Sequence, residues 1–352
     1  MRNDRDVSAS DWIKGVLITN AFLKTDKFVE HYEWLEKAAK QYHIALSLLD
    51  NTALLYPVGV DNTEILNSGQ RNLSTDGMLT KSRQAVSAEN MASGVKQIVD
   101  ENDFVLYWDK DILLGRILQM LCNEQGVPIF NSVPAVGLCD NKFETFSKIW
   151  AWNRIRPEEK RIPLIPTIAA PMTYENIGYT NMDFVDEIIQ SLGLPMVVKE
   201  CYGSFGMQVY LAETKEEVVE YTKKLAGKPF LYQKYLKESS GKDVRLQVVG
   251  GNVVAAMYRY SEKGDFRANI TNGGSMKKYE PSKSECELAV RTVKALGLDF
   301  AGVDLLFSQG EAGEADVVCE VNSNAHFKNI FTCTRVNVAD CIMEYIWRKI
   351  SE

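Results

Sequence analysis

Asp304 sits inside FAGVDLLF, an apolar run in which an unpaired charge would be costly to bury. Glu320 and Asn322 follow in VVCEVNSN, two residues apart, so a strand directs both side chains to one face. Three oxygen donors on two adjacent strands suit Mg²⁺, which takes hard ligands and binds alongside substrate phosphates. The alternative for each carboxylate is that it ends a strand and faces water. A cationic group accompanies them: Arg245, Arg259 and Arg267, with Asn269 two residues after Arg267. Arg245 and Arg259 interrupt apolar runs, which is unexpected unless they face a site; a solvated sheet face is the alternative. Lys199 closes another apolar stretch, four residues before Gly203-Ser204-Phe205-Gly206. Glycines between strands let backbone N–H groups approach an anion closely, and a lysine adds a point charge. Alone, a glycine turn beside a surface lysine has a blander explanation as an ordinary turn. His326 lies just beyond the metal strand and is a candidate without a role. There is no GxxxxGK[ST], so a P-loop is excluded, and no GxGxxG follows the first strand, which argues against a dinucleotide site.

Positioning these residues requires a layered scaffold. Trp12 to Asn20 reads as a buried strand, and Asp26 is placed to cap a helix with Phe28, Tyr32, Leu35 and Ala39 on one face. Strands are expected at 44–49, 103–108 and 127–130, with helices at 84–99 and 111–123, the former inside a long polar loop over 61–100. Strands alternating with helices argue for a parallel sheet and a Rossmann-like domain. Four prolines in 157–171 mark an extended connection, and 194–212 reads as strand, glycine loop, strand. Capping boxes at Thr214/Glu217 and Ser282/Glu285 open two helices, and Gly250-Gly251-Asn252 turns a hairpin between 244–249 and 253–260. Further strands are expected near 300–307 and 316–321. The fold class is therefore α/β followed by α+β.

The ordered set Asp-Asn-Lys142, VVK199, Gly203-Ser204-x-Gly206, Gln233-Lys234-Tyr235-Leu236, Gly-Lys-Asp243-Val-Arg245, Gly-Asp-Phe-Arg267-Ala-Asn269, Gly273-Gly274, Ala-Gly-Val-Asp304 and Glu320-Val-Asn322 is specific. It resembles the RimK-like carboxylate–amine ligases of the ATP-grasp group, through most of 127–322. The resemblance implies a Rossmann-like domain over 1–126, a central ATP-grasp lobe with a glycine-loop lid over 127–232, and a C-terminal lobe with the Mg²⁺ site over 233–352. It implies that Lys142 and Lys199 hold ATP phosphates and that Gly203, Ser204 and Gly206 belong to the lid. Gln233, Lys234, Tyr235 and Leu236 would meet adenine through the backbone, and Asp243 the ribose. Asp304, Glu320 and Asn322 would hold two Mg²⁺ ions, with Mn²⁺ as a substitute. Arg267, Asn269 and Arg245 would serve the phosphoryl transfer and the carboxylate under activation. The implied reaction forms an amide through an acylphosphate and releases ADP and phosphate. Its substrates would be an amino acid or peptide, with glutamate ligation and a protein or peptide tail among the options. The residues after Asn322, Ser-Asn-Ala-His326, depart from the Ser-Pro-Gly type of glutamate-adding relatives, which leaves the acceptor open.

Composition narrows the field. The 352 residues carry 40 Lys and Arg against 47 Asp and Glu, a net charge of −7 that disfavours nucleic-acid binding. No apolar run approaches a membrane span, and the polar opening lacks a signal-peptide core. Seven scattered cysteines without a CxxC pair fit a reducing compartment and neither a disulfide framework nor a structural zinc. A cytoplasmic homo-oligomer (dimer or tetramer) with no membrane partner is expected. The competing function is a non-catalytic ATP-binding protein of the same fold, with a regulatory or assembly role.

Overall fold

The computed structural model describes residues 12–58, 88–203, 206, 208–262, 264–268, 273–308 and 315–352. Its Cα framework separates into Met1–Pro134 with Ile346–Glu352, and Ala135–Tyr345.

In the first unit, β1 (Ile13–Thr19), β2 (Ile44–Asp50), β3 (Phe104–Tyr107) and β4 (Ile129–Phe130) pair in parallel in the order β2-β1-β3-β4. Helices α1 (Asp26–Gln41), α2 (Ala88–Asp100) and α3 (Ile112–Gln125) alternate with them, as the sequence pattern predicts. Gly15 is required where β1 meets β3, because a side chain there would occupy the ring of Phe104. Asp26 turns out to be the first helical residue of α1; Thr25 takes the cap position, and no side chain closes it. Asp111 does cap α3, accepting a hydrogen bond from the backbone N–H of Leu114. Residues 61–87 of the long polar loop lie outside the described residues, and the helix expected at 84–99 is α2.

The second unit carries the functional residues on two antiparallel sheets. The first has the order β5-β8-β6-β7, from β5 (Thr167–Ala169), β8 (Phe230–Lys234), β6 (Met196–Glu200) and β7 (Val209–Ala212). Its apolar face, with Val198, Phe230 and Tyr232, is covered by α6 (Phe184–Leu192) and α7 (Lys215–Lys224) through Val185, Ile188 and Val218. The second sheet has the order β11-β10-β9-β12-β13, from β9 (Lys242–Val249), β10 (Asn252–Ser261), β11 (Gly274–Lys278), β12 (Phe300–Leu306) and β13 (Val317–Asn322). Alternation along β9 sends Val244, Leu246 and Val248 to one face, where α8 (Lys283–Leu296) buries them with Leu288, Ala289 and Val293. Asp243, Arg245 and Gln247 point to the other face.

Both expected capping boxes form. Thr214 Oγ1 and Ser282 Oγ each accept from the N–H of the glutamate three residues on, at 3.2 Å. Glu285 is more than a cap, since its buried carboxylate also accepts from Tyr279 Oη at 2.9 Å and from the Ala315 N–H at 2.8 Å. Among the described residues five helices are not expected from the pattern: α4 (Val133–Asp140), α5 (Lys142–Arg154), α6, α9 (Lys328–Thr334) and α10 (Val338–Ser351). The proline-rich connection carries β5, a short strand that extends the first sheet. All seven cysteines are free. Among the described residues no helix is long and apolar enough to cross a membrane.

Candidate active site

The register of the five-stranded sheet decides which charges meet. Asp243 lies opposite Arg259, Arg245 opposite Asp304, and Asp304 opposite Glu320. One rung further, Gln247, Gly302 and Asn322 line up across β9, β12 and β13. This alignment depends on a bulge in β13: Leu305 pairs with Val318 but Asp304 pairs with Glu320, so Cys319 is extra. Val318 and Val321, three residues apart, therefore both reach the core, while Glu320 and Asn322 turn to the polar face. A plain strand would put Val318, Glu320 and Asn322 on the same side.

Four of the charges on this face form a continuous chain. Arg245 donates from Nε and Nη2 to the two oxygens of Asp304, both at 2.6 Å. Arg259 donates to the two oxygens of Asp243 at 2.6 and 2.7 Å, and its Nη2 reaches Asp304 Oδ2 at 2.9 Å. Asp243, Arg259 and Asp304 are buried, so these are charge-assisted bidentate pairs shielded from water. Burial pushes the Asp304 carboxyl up, but the guanidiniums of Arg245 and Arg259 outweigh it and hold the group below the ordinary carboxylate range. For Asp243, burial and the neighbouring Asp304 charge prevail over Arg259 and raise it. The solvated-face alternative for Arg259 is thus corrected: the side chain is 6% exposed and sits at the centre of the chain of ion pairs.

At the sheet edge the groups are left open. Among the described residues Glu320 has one ion-pair partner, Lys142 Nζ, at 3.9 Å. The amide nitrogen of Asn322 and the amide oxygen of Gln247 are buried without a hydrogen-bond partner among those residues. Gly302 separates them, and a Cβ there would come within 2.8 Å of Gln247 Oε1 and 2.7 Å of the Ala325 methyl. Cys319 packs against Phe146, Ile165 and Val317, its thiol pushed up to about 11 by burial, which keeps it protonated and inert.

The two lysines are both buried. Asn141 caps α5 by accepting from the N–H groups of Phe143 and Glu144, which fixes Lys142 at the first helical position. Lys142 Nζ donates to the Gly203 carbonyl at 2.9 Å, tying the start of the glycine loop to the Glu320 edge. Lys199 Nζ donates to Gln233 Oε1 at 2.8 Å, and Gln233 in turn donates to Thr167 Oγ1 at 2.9 Å. Arg267 is clamped by Asp265, through Nε at 3.0 Å and Nη2 at 2.7 Å, while its Nη1 reaches the Gly206 carbonyl at 2.8 Å. Hydrogen bonding from Arg267 lowers the Asp265 carboxyl. At the end of β8, Lys234 is exposed, its backbone N–H bonded to the Pro166 carbonyl, and the next residue, Tyr235, meets the Phe266 ring edge-on. Leu236 packs with Phe146, Ile165 and Val317. Ser204 and Asn269 lie outside the described residues.

The structure thus gathers Asp243, Arg245, Asp304, Glu320 and Asn322 on one face with Lys142, pairs Lys199 with Gln233, and joins Arg267 to the loop glycine. Arg259, Gln247, Asp265 and Gly302 complete it. Arg259 interrupts an apolar run, the period-two spacing of Gln247 from Arg245 signals a shared face, and Asp265 and Gly302 stand inside the motifs Gly-Asp-Phe-Arg267 and Ala-Gly-Val-Asp304.

The profile of the RimK-like ATP-grasp domain matches residues 165–346, just over half of the chain. The chain belongs to the RimK-like ATP-grasp family. Among the relatives of this RimK-like chain, a probable alpha-L-glutamate ligase of Halorhodospira halophila is 39% identical over 169 residues, 47% of this chain and 55% of that protein. Human N-acetylaspartylglutamate synthase A is 32% identical over 238 residues, 67% of this chain and 56% of that protein. The chain therefore spans about half the length of these curated relatives. D-alanine–D-alanine ligase from Bacillus anthracis superposes with a TM-score of 0.59 at 14% identity, covering 97% of this chain and 99% of that one. The RimK-like chain thus has the ATP-grasp ligase fold.

Proposed function

We propose that the chain is an ATP-dependent carboxylate–amine ligase, joining an amino acid or peptide acid to an amine and releasing ADP and phosphate. The observation that carries this reading is the polar sheet face at β13, where the Glu320 carboxylate has Lys142 Nζ at 3.9 Å as its one ion-pair partner among the described residues and Asn322 lies on the same face. The donor set fits Mg²⁺, because a carboxylate left this open and a side-chain amide oxygen are hard ligands. Glu320 and Asn322 would hold it, with Asp304 sharing an oxygen already engaged by Arg245 and Arg259. When bound, Mg²⁺ supplies charge neutralisation on the transferring phosphoryl group.

The chain's own residues supply the rest. Lys142 and Lys199, desolvated at the loop and strand ends, would hold ATP phosphate oxygens in place of the Gly203 carbonyl and Gln233 amide. Arg267, preset by Asp265, would orient the carboxylate toward the terminal phosphorus and stabilise charge in transfer. The loop from Gly203 to Gly206, bonded to Lys142 and Arg267, would exclude water while the acylphosphate awaits its amine. The amine then attacks the acyl carbon, forming the C–N bond and releasing phosphate. Asp243 would contact the ribose only on its solvent-facing side, since Arg259 occupies both oxygens. The names of the relatives support glutamate as one substrate. A non-catalytic nucleotide binder has no observation in its favour while Glu320 stands open.

Trapping with hydroxylamine tests the mechanism. With ATP, Mg²⁺ and the correct acid from a panel of amino acids and short peptides, the expected products are a hydroxamate, ADP and phosphate. AMP and pyrophosphate would mean adenylation and would overturn the reading.

A further inference from the structure

On the opposite side of the five-stranded sheet from Asp304 and Glu320, a groove of about 600 Å³ opens between the C-terminal end of α5, the Lys160 segment, α8 and the β9–β10 turn. Four cations line it, Arg156, Lys160, Arg291 and Lys294, against one carboxylate, Glu287. None of the four has a carboxylate within ion-pair distance among the described residues. Glu287 is turned along its helix toward Lys283, 3.6 Å away. Four uncompensated cations converging from separate segments are unexpected in a chain of net charge −7.

The arginines are also held in place. The Arg156 guanidinium lies 3.4 Å from the centroid of the Trp152 ring and donates from Nη1 to the Trp152 carbonyl at 3.4 Å, a stack that leaves Nε and Nη2 for an oxyanion. Arg291 is fixed through Nη1 to the Glu159 carbonyl at 3.1 Å. Its Nε and the Trp152 Nε1 are closed to bulk water and have no acceptor. Buried N–H donors without acceptors are rare and costly in folded proteins. A solvated basic surface would leave these donors in water and the side chains unrestrained.

We propose that this groove is a second binding site, separate from the nucleotide site, for a small multivalent oxyanion: a di- or tricarboxylate or a phosphorylated metabolite. Arg156 and Arg291 supply planar donor forks, Lys160 and Lys294 add point charge, and Trp152 forms the flat wall.

The test is calorimetric titration of the full chain with citrate and with tripolyphosphate while the nucleotide site is saturated with Mg²⁺ and a non-hydrolysable ATP analogue. One further event per chain is expected with at least one probe, weakening as salt rises. Whichever probe binds more tightly identifies the carboxylate or phosphate class. Lys294→Glu and, separately, Lys160→Glu should each weaken the event about tenfold or more without changing analogue affinity; both side chains are exposed, so folding should survive. No further event with either probe, or an event with unchanged affinity in both variants, would overturn the proposal.

Discussion

Across β9, β10 and β12 the four paired charges of the polar face have full sets of partners: Asp243 and Asp304 each receive two or more guanidinium hydrogen bonds. At β13, one strand away, Glu320 has among the described residues a single lysine at 3.9 Å. The two regions share one surface but have opposite capacities. Saturated charges hold a geometry, whereas open ones take a ligand. The centre therefore reads as the support that fixes the strand register, and the edge as the place where substrate and metal chemistry happens. The bulge at Cys319 is the hinge of this contrast, because it alone brings Glu320 and Asn322 to the polar face.

Arg259→Met should break the contrast most severely, because it strands the buried Asp243 carboxylate and leaves Asp304 to Arg245 alone. Breaking a buried pair from one side costs about 3–5 kcal/mol, read from the urea midpoint at constant slope. A loss near zero would mean that the centre is not a support.

Lys199→Ala should weaken nucleotide affinity by roughly 10–100-fold, the worth of one charge-assisted contact of ~1.5–3 kcal/mol. Lys223→Ala, on the exposed side of α7, should leave affinity unchanged. Equilibrium titration with an ATP analogue separates the two. The smallest effect concerns the periphery: Thr214→Ala removes one half of a capping box and should lower stability by ~1 kcal/mol without touching nucleotide binding. A change in nucleotide affinity there would show that α7 is coupled to the site.

Much of this was legible in the residues. The alternation of KDVRLQVV separates Asp243, Arg245 and Gln247 from Val244, Leu246 and Val248, and the isolated Asp304 in an apolar strand announced a partnered charge. The parallel sheet of the first unit followed from alternating strand and helix patterns, and both capping boxes stood where the spacing put them. What the spacing could not supply was register. The partners of Asp304 lie 59 residues away in Arg245 and 45 away in Arg259, and only the strand order β10-β9-β12 brings them together. The bulge has no composition of its own, since VVCEVN reads as a plain strand. Helix α4 escaped notice because VPAVGLCD is apolar throughout and carries no helical period, and α5 because its aromatic residues blur the polar face.

The direct test of an open edge beside a saturated centre is the Mg²⁺ dependence of nucleotide binding in Glu320→Gln. Affinity for an ATP analogue is measured with Mg²⁺ and with EDTA, in the wild type and in the variant. If β13 holds the ion, Mg²⁺ should strengthen binding by an order of magnitude or more in the wild type and hardly at all in Glu320→Gln, whose urea midpoint should match the wild type. An undiminished Mg²⁺ effect in the folded variant would contradict the assignment of the edge as the ligand site.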